Sequence, residues 1–187
     1  MNIYDFDGTI YNGDSTLDFY FYSLQKKISL IKYLPKQFLG FILYKLNKID
    51  KTEFKEFFFC FLSDINTNNL VELFWNEKQK NICEWYIQQQ KIDDIIISAS
   101  PEFLLSPICQ RLGIKYLIAT EVNKKNGKLL SKNCYGEEKV RRLFEKYKDV
   151  HINQFYSDSY SDVPLAKIAD NAYFVKNGNI IKWDFNK

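Results

Sequence analysis

The sequence lacks the features by which zinc-binding, disulfide-rich, membrane-spanning and nucleic-acid-binding proteins are usually identified. Its four cysteines have neither metal-ligand spacing nor the pattern of a disulfide framework, so free, mostly buried thiols in a reducing cytoplasm are expected. The longest apolar stretch, residues 28–46, is interrupted by lysines and a proline and is too polar for a membrane span. The net charge of +3 comes from lysines spread along the chain, without the clustered basic face of a nucleic-acid-binding protein.

The most informative segment that is present is Asp5-Phe6-Asp7-Gly8-Thr9, directly after a short apolar stretch. Residues 2–7 are predicted to form a strand, and its period of two places Asp5 and Asp7 on one face. Two carboxylates this close repel each other unless a cation or a reacting group uses them. The pattern therefore indicates a site, the alternative being a turn that happens to be acidic.

The rest of the chain predicts an α/β fold in which a helical segment interrupts the core. Residues 13–91 show helical periodicity without a convincing strand, whereas short apolar runs alternate with helical patterns from residue 94 onwards. Such alternation favours right-handed crossovers and a parallel sheet covered on both sides, a Rossmann-like three-layer α/β/α core. Strands are predicted at 2–7, 95–97, 115–120, 154–156, 172–175 and 180–183, with helices from 101 to a stop at 113, at 137–148 and at 161–169.

Local signals predict where several helices begin. Thr52 is a candidate N-cap, Ser100 is interpreted as a cap before Pro101, and residues 70–90 form one long helical pattern. An apolar helical face formed by Phe38, Leu39, Ile42, Leu43 and Leu46 could lie at a membrane surface with its lysines near lipid headgroups. We favour the alternative, in which this face packs inside the helical segment.

Polar residues of the core are predicted to meet at one edge of the sheet. Asp5, Asp7, Ser98 and Asp158 fall at predicted strand ends, and Lys139 begins a helix beside them. Ligands of such sheets bind at the carboxyl ends of the strands. The sequence therefore predicts one site built from these side chains.

Four motifs occur in the order in which they are found in the haloacid dehalogenase superfamily of phosphohydrolases, which the chain resembles. The first is Asp5–Thr9, and the others are Ile95–Ser98, Gly136–Val140 and Tyr156–Asp162. Ser157 departs from the pattern, because the family usually has Gly before the first Asp of the fourth motif.

This resemblance implies a Mg²⁺-dependent hydrolysis of phosphate monoesters. Asp5 would be the nucleophile that forms an aspartyl-phosphate, and Asp7 would protonate the leaving alcohol and then activate water. The Asp5 carboxylate, the backbone carbonyl of Asp7 and the Asp158 carboxylate would bind Mg²⁺, for which oxygen ligands are suited.

The remaining motif residues have assigned roles in the family and simpler alternatives. Asp162 would bind the metal through a water or hold its ligands in place, or it could only cap the following helix. Ser98 would donate to the phosphoryl oxygens, or it could simply end a strand. Lys139 would offset the charge of the phosphate and of Asp5, or it could be a solvated helix residue.

The helical segment resembles the cap of the subfamily that includes phosphoserine phosphatase, with residues 13–91 as cap and residues 1–12 and 92–187 as core. Asp14 stands where that cap's substrate reader would be, although it could equally cap a helix. No arginine precedes Arg111, which argues against a carboxylate-bearing substrate.

A closer likeness is to the branch that contains phosphatidylglycerophosphatase C, which suggests a lipid phosphate and a peripheral membrane contact through the cap. The alternatives are a small soluble phosphate ester and a non-catalytic binding protein of the same fold.

Overall fold

A computed structural model describes residues 1–186 and contains a six-stranded, largely parallel sheet flanked by helices. The strand order is β3-β2-β1-β4-β5-β6, and β6 alone runs antiparallel to its neighbour because a turn at Asn177–Gly178 reverses the chain. The predicted Rossmann-like α/β fold is therefore confirmed. The strands are β1 (Asn2–Tyr4), β2 (Ile95–Pro101), β3 (Tyr116–Thr120), β4 (Gln154–Ser157), β5 (Asn171–Lys176) and β6 (Asn179–Lys182).

Five α-helices lie between β1 and β2, and three more follow β2 within residues 1–186. The long helix predicted over residues 70–90 is instead two helices, since α4 ends at Lys78 and α5 begins at Glu84. No helix within residues 1–186 has the length and apolar character needed to cross a membrane. The helices are α1 (Ser15–Lys26), α2 (Leu34–Lys45), α3 (Lys51–Phe58), α4 (Thr67–Lys78), α5 (Glu84–Gln89), α6 (Glu102–Arg111), α7 (Glu137–Lys146) and α8 (Val163–Ala166).

The central strand β1 is buried on both faces, as its continuous apolar sequence requires. Ile3 packs with Ile95 and Phe155 in one layer of the core. Its neighbour Tyr4 points to the opposite face and stacks on Tyr156, with ring centroids 4.8 Å apart. Because alternate side chains enter two separate cores, the strand is fixed in position and direction at the centre of the sheet.

The N-terminus of α3 is capped differently from the sequence prediction. Asp50, rather than Thr52, is the N-cap, and its side chain accepts a hydrogen bond from Glu53 N at 2.8 Å. The Glu53 side chain in turn accepts from Asp50 N at 2.9 Å, which completes a capping box.

The expected inward packing of the apolar face of α2 is wrong. The buried positions of this helix are Gln37 and Gly40. A Cβ atom at Gly40 would lie 2.3 Å from Phe57 Cβ of α3, so the two helices approach closely because no side chain stands between them. The apolar side chains on the opposite face of α2, including Phe38 and Leu39, are consequently exposed.

Candidate active site

A cavity of about 440 Å³ lies at the carboxyl ends of the central strands, next to α1 and α3. All seven side chains singled out from the sequence line it, although they come from five separate stretches of the chain. Their meeting in one place follows from the parallel order of β2, β1 and β4, whose carboxyl ends share one edge of the sheet. These residues are Asp5, Asp7, Asp14, Ser98, Lys139, Asp158 and Asp162.

The two aspartates of the first motif lie beyond the first strand rather than within it. β1 ends at Tyr4, and Asp5 N donates to the carbonyl of Tyr156 at 2.9 Å. The chain then turns through Gly8, whose φ is +67°. The predicted strand over residues 2–7 is therefore too long, because the backbone must leave the sheet for both carboxylates to reach the cavity.

Gly8 also allows the first and the fourth motif to lie against each other. A Cβ atom at this position would lie 2.0 Å from Asp158 Oδ2, so the Asp158 carboxylate rests against the loop only because Gly has no side chain. Asp158 N donates to Thr9 Oγ1 at 3.0 Å. This contact and the missing Cβ hold the fourth motif directly against the first.

Lys139 is a buried cation shared by two carboxylates. Its Nζ lies 2.8 Å from Asp5 Oδ1 and 2.7 Å from Asp162 Oδ2, and the side chain is only 2% exposed. Burial lowers its pKa, but the two carboxylates outweigh burial and raise the pKa above its ordinary value. The solvated-helix alternative for Lys139 is therefore wrong, and the lysine stays charged at the base of the cavity.

Burial and the ion pair each shift the pKa of Asp5 in the direction opposite to their effect on Lys139. Burial raises the pKa of Asp5 to about 7, although Lys139 pulls it down. Burial likewise raises the pKa of Asp158, which has no lysine within ion-pair distance among residues 1–186. A cation bound between these carboxylates would favour their charged forms.

Asp162 is held inside the core and does not act as a helix cap through its side chain. Its Oδ2 accepts a hydrogen bond from Ser157 Oγ at 2.7 Å as well as from Lys139, and it makes no capping bond to α8. Ser159 N donates to Ser157 Oγ at 3.1 Å. Ser157, the departure from the family pattern, thus orients Asp162 and the turn that follows.

Asp7 is bound by groups that hold it at the cavity wall. Its Oδ1 accepts from Ser15 N at 2.6 Å, and its Oδ2 accepts a hydrogen bond from Ser100 Oγ. Ser100 Oγ also bonds to Thr16 Oγ1 at 2.8 Å. The interpretation of Ser100 as a helix cap is wrong: α6 has Pro101 as its N-cap residue, and the serine hydroxyl turns to Asp7 instead.

The electrostatic environment of Asp7 suits a group that carries a proton. Burial raises its pKa to about 6, and the nearby Asp14 carboxylate acts in the same direction. Hydrogen bonds from Ser100 and Ser15 partly oppose this shift.

Replacing Asp7 with Asn is expected to stabilise the metal-free protein at high pH. A carboxylate whose pKa is raised on folding contributes stability at low pH that is lost as the pH rises through the folded pKa, here about 6. The neutral amide loses no stability as the pH rises. The free energy of unfolding of Asp7→Asn should therefore exceed that of the wild type by about 2 kcal/mol at pH 8 and match it near pH 4. Urea unfolding in EDTA-containing buffer at both pH values measures the difference.

The matched control for this experiment is Asp149→Asn, because Asp149 is exposed and its charge remains hydrated. It should show no gain that grows with pH. A gain of the same size in both variants, or none in Asp7→Asn, would mean that burial does not set the proton affinity of Asp7.

Asp14 is the N-cap of α1, which confirms one of its two interpretations, whereas its role as a reader of the leaving group stays a prediction. Its Oδ1 accepts from Leu17 N at 2.9 Å and so caps α1, while the residue also lines the cavity. Ser98 is buried, and its Oγ accepts from Ser100 N at 3.1 Å. Ser98 lies within β2 (Ile95–Pro101) rather than at its end, and both residues line the cavity.

Residues of α3 also line the cavity, and their presence there was not predicted from the sequence. Lys55 Nζ donates to the carbonyl of Ala99 at 2.6 Å and to Asn133 Oδ1 at 2.7 Å, and burial lowers its pKa to about 8. Lys51 Nζ lies 3.3 Å from the centroid of the Tyr135 ring. Lys51 and Lys55 are four residues apart on one face of α3, which a helical projection could have shown.

Phe54 and Phe58 of the same helix form an apolar part of the cavity wall.

The donor set of the cavity fits a hard divalent cation. Its lining contains carboxylates but neither histidine nor cysteine, and oxygen-only sites favour Mg²⁺ over zinc. Asp162 Oδ1 is buried and has no hydrogen-bond partner within residues 1–186. No three of the His, Cys, Asp and Glu side chains in that range form a ready-made ligand cluster, so backbone and water oxygens would have to complete the coordination.

The family comparison extends over most of the chain. The model of the haloacid dehalogenase-like hydrolases matches residues 3–167. A histidinol-phosphatase from Neisseria meningitidis serogroup C (strain 8013) is 26% identical over 143 residues, which cover 70% of this chain and 62% of that protein. The chain spans between 31% and 62% of the length of the curated relatives it matches.

Solved structures share the fold at low sequence identity. A protein of unknown function from Bordetella pertussis Tohama I has a TM-score of 0.74 and 17% identity, covering 92% of this chain and 87% of that one. A phosphoserine phosphatase with bound substrate has a TM-score of 0.56 and 16% identity, covering 91% and 82%. These likenesses extend to the helical segment between β1 and β2 as well as to the sheet.

Proposed function

The chain belongs to the haloacid dehalogenase-like hydrolases, and on that basis we propose that it is a Mg²⁺-dependent phosphatase that hydrolyses a phosphate monoester through an aspartyl-phosphate. The observation that carries the proposal is the contact of Asp5 with Lys139 in a cavity that Asp7 and Asp158 also line. A carboxylate held by one buried cation has one oxygen fixed and the other available for attack.

Asp5 is the proposed nucleophile. Lys139 fixes Oδ1 of Asp5 and neutralises part of the negative charge that an incoming phosphate brings. Asp162 and Ser157 hold Lys139 in place from the other side. Ser98 lies within β2 and lines the cavity, where it would donate its hydroxyl to a phosphoryl oxygen.

Asp7 is the proposed general acid and base. Burial raises its pKa to about 6, which allows it to protonate a leaving alkoxide and then to take a proton from the attacking water near neutral pH. Ser100 and Ser15 orient its carboxyl group. Because these partners come from β2 and α1, Asp7 is positioned by both the core and the helical segment.

Mg²⁺ would be held by the carboxylates of Asp5 and Asp158 and the backbone carbonyl of Asp7, with Asp162 acting through water. The bound ion would offset the charge of the phosphate and of the carboxylates around it. Gly8 contributes by letting the Asp158 carboxylate lie against the first motif.

Residues 13–91 are the proposed cap, and residues 1–12 and 92–187 the proposed catalytic core. Lys55 of α3 crosses from one to the other through its bonds to Ala99 and Asn133. A helical segment in this position excludes water and contacts the leaving group. Its polar groups at the cavity include Asp14 and Lys51, and its apolar groups include Phe54 and Phe58.

The leaving group is proposed to be a lipid alcohol, as in phosphatidylglycerophosphate. The apolar wall of the cavity supports this substrate, since a soluble sugar or amino acid would leave Phe54 and Phe58 without a matching surface. A small soluble ester, such as phosphoserine or histidinol phosphate, remains the second candidate because phosphatases of those names share the fold or the sequence.

The test is hydrolysis of p-nitrophenyl phosphate with and without Mg²⁺, followed by a panel of phosphatidylglycerophosphate, phosphoserine, histidinol phosphate and sugar phosphates. EDTA should lower the rate at least about 100-fold, and Mg²⁺ should restore it. A protein that binds Mg²⁺ but hydrolyses no member of the panel would instead be a non-catalytic binding protein.

A further inference from the structure

The surface formed by α2 and the preceding 3₁₀ helix (Ile28–Tyr33) exposes eight large apolar side chains. Ile28, Phe38 and Leu46 are 71%, 64% and 59% exposed. The apolar side chains of α2 face outwards because its inner side is occupied by the close contact of Gly40 with Phe57. We call this surface the α2 face; its members are Ile28, Ile31, Leu34, Phe38, Leu39, Phe41, Ile42 and Leu46.

The segment of chain that carries the α2 face has charged residues of one sign only. Residues 19–49 contain six lysines and no aspartate or glutamate. Lys26 and Lys32 form ion pairs with Glu77 and Asp64, whereas Lys36, Lys45 and Lys48 are exposed and have no ion-pair partner within residues 1–186. An apolar helix face bordered by unpaired lysines matches the pattern of helices that lie in the headgroup region of a membrane.

The charge also distinguishes between the possible occupants of this surface. A second copy of the chain would place the same lysines opposite each other, and like charges repel across an interface. An anionic bilayer offers negative headgroups to the lysines and an apolar interior to the phenylalanines and leucines. The bilayer therefore complements both properties of the face, whereas a second copy complements only the apolar one.

The helix that carries the α2 face contacts the cavity wall through its opposite side. Tyr44 of α2 stacks on Phe54 of α3 with ring centroids 5.2 Å apart, and Phe54 lines the cavity wall. A membrane that contacts α2 would thus lie next to the helix that forms the apolar part of the cavity.

We propose that the α2 face docks the protein on the surface of an anionic membrane, with Phe38 and Leu39 inserted at the level of the headgroups and Lys36 and Lys45 paired with lipid phosphates. The further step, in which docking delivers a lipid phosphate to the cavity, rests on the proposed function. The docking itself does not rest on it.

Co-sedimentation with vesicles of phosphatidylcholine, with or without one third phosphatidylglycerol, tests the proposal. The wild-type chain should bind the anionic vesicles at least about tenfold more strongly than the neutral ones, and salt should weaken this binding. Phe38→Ser/Leu39→Ser should lower the partition coefficient at least about tenfold. Lys36→Gln/Lys45→Gln should lower it by about fivefold for each lysine.

The matched control is Ile92→Ser/Ile181→Ser, which removes two exposed apolar side chains outside the α2 face. It should bind as the wild type does, and circular dichroism should show all variants folded. Equal losses in the test and control pairs, or no binding of wild type to anionic vesicles, would overturn the proposal. A wild-type dimer that the Phe38→Ser/Leu39→Ser pair dissociates would assign the face to a second copy instead.

Hydrolysis of p-nitrophenyl phosphate by the same wild-type preparation separates this proposal from the proposed function. Vesicle binding without hydrolysis would support the docking surface and contradict the phosphatase. Hydrolysis without vesicle binding would support the phosphatase and contradict the docking surface.

Discussion

Asp5→Asn is expected to lower kcat for p-nitrophenyl phosphate by at least about 10⁴-fold, because removing a covalent nucleophile leaves only binding and charge stabilisation. The amide matches the shape of the carboxylate but does not attack phosphorus. Lys139 keeps its second partner, Asp162, at 2.7 Å, so the site should not collapse. Steady-state kinetics with Mg²⁺ in excess measures the effect, and mass spectrometry of acid-quenched wild type should find phosphate on Asp5.

Stability provides the control for the Asp5 variant. Burial raises the pKa of Asp5 to about 7, so the charged form costs stability above that pH and a neutral amide should leave the protein at least as stable. A folded Asp5→Asn protein with wild-type turnover would remove Asp5 as the nucleophile. An unfolded one would contradict the assignment of its role to catalysis rather than to the fold.

Lys139→Met is expected to reduce both activity and stability. The substitution leaves the buried carboxylates of Asp5 and Asp162 without their shared cation, and breaking a buried ion pair from one side typically costs about 3–5 kcal/mol. Loss of charge compensation at the phosphate should lower kcat by about 10³-fold. Urea unfolding and steady-state kinetics measure the two effects.

The loss of stability in Lys139→Met should depend on pH. Without the lysine, which pulls it down, the pKa of Asp5 rises further above about 7. A raised carboxyl pKa contributes stability that is lost as the pH rises, so the deficit should be greatest at pH 8 and smallest near pH 5. The double variant Lys139→Met/Asp162→Asn removes one of the two stranded charges and should recover part of the stability. A pH-independent deficit, or no recovery, would show that lost packing rather than stranded charge is responsible.

The sequence was sufficient to predict the fold class and the acidic, serine and lysine residues of the four motifs that meet in the cavity, but not the residues that α3 contributes. Asp5, Ser98 and Asp158 follow or end apolar runs, and parallel strands bring their carboxyl ends to one edge. Lys139 could be located because its motif begins a helix, but its partners could not. Only the packing of α7 against the sheet shows that its Nζ reaches two carboxylates at once.

Two errors in the sequence-based predictions have a common physical cause. Ser100 before Pro101 is a good local cap, but the hydroxyl is used by Asp7, which is 93 residues away in the chain. The periodicity of α2 identifies an apolar face but does not say which side the rest of the protein covers. The close approach that Gly40 allows decides this, and it turns Gln37 inwards and Phe38 outwards. In both cases a distant contact outweighs a local preference.

The separation along the chain between the parts of the site has a consequence for biosynthesis. Asp5 is 134 residues from Lys139, and Thr9 is 149 residues from Asp158, which it binds. During translation Asp5 therefore leaves the ribosome long before Lys139 and Asp158 are synthesised. A nascent polypeptide that stops before β4 contains Asp5 and Lys139 but neither Asp158 nor Asp162, so the proposed hydrolytic activity should arise only after residue 162 has been added.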